Sequence, residues 1–85
     1  MSSKYIILQT AEGGRAIIFP GDDFYQDDVA RNFDGFEVIS AGFVSLDAGG
    51  TIKCFGKSEG LGIEARGEDD EIVIRRQLTQ SDGAD

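Results

Sequence analysis

Residues 4–10 (KYIILQT) form an apolar, β-branched run that predicts a strand. Glu12-Gly13-Gly14 supplies turn chemistry, with glycines able to adopt positive φ. Arg15 to Phe19 reads as the returning strand, and Pro20-Gly21 stops it. Past that stop the period changes. Tyr25, Val29 and Phe33 recur every four residues, which stacks them on one face of a helix over 23–34. Phe24 and Ala30 widen that face, while Gln26, Asp27 and Arg31 point away from it. Asp22 and Asp23 are the candidate N-caps, since a short carboxylate can accept from the open N–H groups of a first turn. Gly35 is placed to end the helix in a left-handed conformation.

The longest strand-like run, Phe36 to Leu46, is apolar on both parities: Phe36, Val38, Val44 and Leu46 on one, Ile39, Ala41 and Phe43 on the other. Two apolar faces mean a central strand covered on both sides, or a bulge near Gly42 that switches parity midway. Asp47-Ala48-Gly49-Gly50 turns the chain into Thr51 to Lys57, where Ile52 and Cys54 share one face and Lys53, Phe55 and Lys57 the half-exposed other. Leu61, Ile63 and Ala65 alternate as a short extended segment. Over 68–78, Ile72-Val73-Ile74 favours a strand. Four acids before that triplet and two arginines after it complement a helix dipole, and the charge order decides for helix. The pattern predicts an α+β domain over residues 1–78 with element order β-β-α-β-β-α, a small antiparallel sheet with one or two helices on one face, and a flexible acidic tail at 79–85.

Sixteen Asp and Glu oppose eight Lys and Arg, a formal net charge of −8. The excess is even, with 7 acids against 3 bases in residues 1–42 and 9 against 5 in residues 43–85. Such a surface is repelled by phosphate backbones and anionic leaflets, which argues against direct nucleic-acid or membrane contact and for a basic protein partner. No apolar run approaches the length of a signal sequence or a membrane span, and a cytoplasmic location is the expectation.

Candidate chemistry is narrowed mostly by absences. The chain has no histidine, which removes Ser-His-Asp and Cys-His machinery and imidazole-ligated metals. Cys54 is the only cysteine, so no intrachain disulfide or cysteine-based zinc site forms. Lys53 lies on the opposite strand face from Cys54 and is poorly placed to activate it, leaving a core thiol as the expectation. Gly56-Lys57-Ser58 matches the tail of a phosphate-binding loop, but that pattern needs glycine at position 51, which is Thr51. The acidic groups around Asp22–Asp28 and Glu68–Glu71 do not match a calcium loop, and read as caps and solvated faces. No cofactor or metal is expected, and no catalytic residue is assigned.

Two surfaces remain. Phe24, Tyr25, Asp27 and Asp28 combine aromatic and acidic side chains as a candidate interaction surface for a protein partner. Ile39 and Phe43 form a candidate homodimer face if nothing in the chain covers that side of the central strand; Leu61, Ile63, Ile72 and Ile74 are the segment that would. The stretches Val38-Ile39-Ser40-Ala41-Gly42-Phe43-Val44 and Cys54-Phe55-Gly56-Lys57-Ser58-Glu59-Gly60-Leu61-Gly62 resemble small proteins of unassigned function from bacterial and prophage genomes. The resemblance spans about half the chain and implies no activity. The expectation is a non-catalytic interaction module, self-associating or bound to a basic protein; the alternatives are a phage-type inhibitor mimicking nucleic-acid charge and a small enzyme using Cys54 or carboxylates.

Overall fold

The structure, a computed structural model, describes residues 3–21 and 25–83. The first hairpin forms as its pattern predicts. β1 (Ser3–Thr10) pairs antiparallel with β2 (Gly13–Pro20), Ile7 opposite Ala16. Its two-residue turn is held by Thr10, whose hydroxyl donates to the Gly13 carbonyl at 2.7 Å and accepts the Glu12 N–H. Gly13 takes φ +111°, a conformation that excludes most side chains.

β3 (Glu37–Leu46) pairs with the other side of β1, and β4 (Ile52–Phe55) pairs with β3, giving the order β2-β1-β3-β4. With β1 in the middle, Tyr5, Ile6, Ile7 and Leu8 are all buried, alternately on the two faces. A continuous apolar run is what a strand covered on both sides requires. Burying each Ile stabilises the fold by roughly 1.5–3 kcal/mol. β3 is an interior strand covered on both sides, and it also carries a bulge that switches parity, at Ile39 rather than near Gly42. Ile7 faces Ser40 and Leu8 faces Val38, so Ile39 is the extra residue of a bulge.

α1 (Gln26–Arg31) packs on one face and α2 (Glu68–Gly83) on the other, so each face of the sheet carries one helix. On the α2 face, Tyr5, Ile7, Ala16, Val44, Ile52 and Cys54 close around Ile74. On the α1 face, Ile6, Leu8, Phe19 and Ala41 meet Val29, Ala30 and Phe33, together with Leu61 and Ile63. Those last two belong to an added hairpin, β5 (Lys57–Ser58) and β6 (Ile63–Glu64), which the sequence shows only as a short alternation. Gly56, at φ +78°, turns the chain out of β4 and separates β4 from β5.

The order of charges decides correctly for helix over 68–78, and the helix continues through Gly83 instead of giving way to a tail at 79. Each further helical residue adds a backbone bond once a nucleus exists. The α1 pattern needs more correction. Tyr25 is the N-cap residue and is 68% exposed, not on the buried face with Val29 and Phe33. Gln26, expected to point outward, is buried, its Nε2 donating to the Gly42 carbonyl at 2.7 Å and the Tyr5 carbonyl at 3.4 Å. A helix starting at Gln26 turns its first residue toward the sheet, where the amide finds backbone acceptors that water would otherwise supply. The expected caps Asp22 and Asp23 lie outside the described residues, as does Phe24.

Candidate functional site

α1 covers only part of its sheet face. Between its N-terminal end and the β5–β6 hairpin lies a cleft of about 630 Å³. Its floor includes Phe43, stacked on Phe55 with ring centroids 5.9 Å apart, which are neighbours because β3 and β4 place them directly opposite. One wall is Tyr25, Asp27 and Asp28 of α1; the other is the loop from Gly56 to Gly60. Gly60 lets the two walls approach: a Cβ there would come within 3.2 Å of the Asp27 carboxyl group. Ser58 is buried and anchors the loop by accepting the Leu61 N–H at 3.3 Å.

The cleft carries charge of both signs. Lys4 Nζ sits 5.2 Å from the centre of the Tyr25 ring, in cation–π geometry. Arg31 lies 3.4 Å from Asp28 and 3.9 Å from Asp27, along one side of α1. These are exposed helix pairs, each contributing about 0.3–0.5 kcal/mol, so a competing cation displaces them at little cost. Three of the four residues expected to form an interaction surface, Tyr25, Asp27 and Asp28, thus stand together on one cleft wall. Lys4, Lys57 and Phe43 complete it. None of these three carries a local sequence signal that links it to α1, because the sheet register brings Lys4 opposite Phe43.

Ile39 and Phe43 do not form one surface. The bulge sends Ile39 against the α2 core, while Phe43 looks into the cleft on the opposite face. The C-terminal segments cover both faces instead: Ile74 on one, Leu61 and Ile63 on the other.

The groups with unusual protonation chemistry lie elsewhere, beneath α2. Asp70 is fully buried. Its Oδ1 accepts from Ser40 Oγ at 2.7 Å and Arg66 Nε at 2.8 Å. Its Oδ2 accepts from the Tyr5 hydroxyl and from the Arg66 N–H at 2.8 Å. Burial alone would raise the Asp70 pKa, but the hydrogen bonds from Tyr5, the Arg66 backbone, Ser40 and the Arg66 side chain outweigh it and hold the carboxyl below its usual range. Tyr5 is shifted the other way, first by burial and then by the Asp70 carboxylate it bonds. Cys54, buried beside them, is pushed up to about 11, chiefly by burial and further by the charges of Asp70 and Glu71. A thiol in that state is protonated at neutral pH and closed to solvent, the reverse of an activated nucleophile.

Among the described residues no three acidic or cysteine side chains are grouped to hold a metal ion, and no helix is long and apolar enough to cross a membrane. No family model, curated protein or solved structure matches this chain.

Proposed function

We propose that this chain is a non-catalytic interaction module that acts in the cytoplasm, and that the cleft beside α1 receives a basic segment of a protein partner. The observation that carries the reading is the position of Tyr25. It is the most exposed aromatic ring among the described residues, it already engages one cation, and two carboxylates of its own helix follow it on the cleft wall. An incoming arginine can stack on such a ring and pair with Asp27 or Asp28 in place of Arg31. The net charge of −8 favours encounter with a basic partner and speeds it at low salt. The side chains best suited to chemistry, Tyr5, Cys54 and Asp70, are meanwhile buried in the other layer with their bonds satisfied.

The test is a titration of isotope-labelled protein with an arginine-containing peptide, followed by amide chemical shifts. Binding is expected to move Tyr25, Phe43 and Gly60 and to weaken steeply between low and physiological salt. Reversing both Asp27 and Asp28 to Lys should abolish it. Binding that survives that reversal would remove the cleft from consideration.

A further inference from the structure

An open sheet has two edges, and α2 guards them unequally. At β4, Glu71 Oε2 accepts the Cys54 N–H at 3.0 Å. Ile52, two residues earlier, directs its backbone groups the same way, and both residues are buried. That edge is closed. At β2, Ala16 is likewise buried under α2, and a single side chain takes both of its outward backbone groups. Gln77 Nε2 donates to the Ala16 carbonyl at 2.9 Å, and Gln77 Oε1 accepts the Ala16 N–H at 2.9 Å. A carboxamide in this orientation presents the same donor and acceptor as the peptide group of a neighbouring strand. Two residues on, Ile18 carries the next outward-facing backbone pair and is 45% exposed. The run Ala16-Ile17-Ile18-Phe19 is uncharged and rich in β-branched residues, the composition that pairs readily along an edge.

We propose that the outer edge of β2 is a strand-pairing site held shut by Gln77, and that its occupant is β2 of a second copy of this chain, antiparallel across a two-fold axis. β2 is self-complementary in that arrangement. With the axis at Ile17, Ala16 faces Ile18 of the other copy and Arg15 faces Phe19, so no like charges oppose one another. The same operation at β4 would set Lys53 against itself. A two-fold contact also closes after one partner, the commonest solution for a small chain. Gln77 leaves Ala16 when the second strand arrives, while Ile74 and Asp70 keep α2 on the sheet. Two chains of charge −8 repel at a distance, so pairing strengthens as salt screens them.

Sedimentation velocity of the wild type, Gln77→Ala and Gln77→Ala/Ile18→Lys tests this. Removing the guard should lower the dimer dissociation constant at least about tenfold, raising the salt should lower it further, and Ile18→Lys should restore the monomer. A folded Gln77→Ala protein that associates no more than wild type overturns the proposal. So does a dimer indifferent to Ile18→Lys, or open-ended oligomers in place of a dimer. If Gln77→Ala does not fold, Gln77→Glu retains an acceptor for the Ala16 N–H but no donor for its carbonyl. The same comparison then applies, with unchanged association again overturning the proposal.

Discussion

The Tyr5 hydroxyl donates to the Asp70 carboxylate across 65 residues of chain, tying the first strand to the last helix at the centre of the α2 face. Asp70 opens α2 from within its first turn, where the helix dipole favours a negative charge. The same carboxylate takes two bonds from Arg66, on the segment leading into the helix, and one from Ser40 of β3. A charge removed from water this completely is tolerated because both its oxygens are fully supplied with donors.

Asp70→Asn replaces one acceptor oxygen by an amide that can only donate, set against donors. At least one of the four bonds must break, and the Arg66 guanidinium loses its counter-charge. Breaking one partner of a buried pair costs about 3–5 kcal/mol. Urea unfolding should show a loss near the low end of that range, since Arg66 reaches solvent. A change under about 1 kcal/mol would mean the network contributes little.

Acid should act through the same residue. The folded-state pKa of Asp70 lies below its ordinary value of 3.8, so the unfolded chain binds the proton more readily. The stabilisation is therefore complete above that value and is lost as pH falls through the lower folded-state pKa. Urea midpoints measured from pH 6 down to about 2 should fall more steeply for wild type than for Asp70→Asn, with the difference confined to the region below about pH 4.

Alkali should act through Cys54 and Tyr5. Both are raised in the folded state, Cys54 from 9.0 to about 11. A raised pKa gives stability that is present below the unfolded value and disappears as pH climbs through the folded one. Between pH 9 and 11 the thiol should cost the fold about 2 kcal/mol, and Cys54→Ala should recover that part of the loss. The native protein should resist iodoacetamide at pH 7 and react only on unfolding; rapid native alkylation would contradict the buried, protonated thiol.

Gly42 is required by backbone, not by φ. A Cβ at this position would lie 2.5 Å from the Phe55 carbonyl oxygen and 3.0 Å from the Ala65 side chain. Neither strand can yield easily, because Gly42 also accepts the Gln26 amide at its carbonyl. Gly42→Ala should destabilise by about 1–3 kcal/mol and disturb α1, lowering the thermal midpoint and broadening the amide resonances of Gln26 and Tyr25.

How much of this was readable along the chain differs from element to element. The β1–β2 hairpin, the turn at Asp47 and the α+β class follow from local signals: Asp47 Oδ1 accepts from Gly49 and Thr51 at 2.9 Å, as a turn aspartate does. The interaction wall was legible in part, since Asp27 and Asp28 sit side by side on one short helix. The spacing of four puts Tyr25 on one helical face with Val29 and Phe33, which fits a helix that begins before it, whereas the observed α1 starts only at Gln26 and leaves Tyr25 exposed. Of the two readings open for the β3 run, the bulge centred on Gly42 because glycine suggests irregularity, and nothing local marks Ile39, the isoleucine that takes it.

The fold class, the main strands and the helical character of the last segment are written in local sequence, because they depend on neighbours within a few residues. Which acid is buried is set by tertiary contacts. In the run Glu68-Asp69-Asp70-Glu71 all four look alike as a solvated helix start, yet Asp70 is fully buried where Tyr5, Ser40 and Arg66 converge, and Glu71 is half-buried against the Cys54 N–H. The roles of Gln26 on Gly42 and of Gln77 on Ala16 were decided in the same way. A polar side chain is stable in the interior only where donors and acceptors from distant strands meet it, and that meeting is a property of sheet order and register, which no local period encodes.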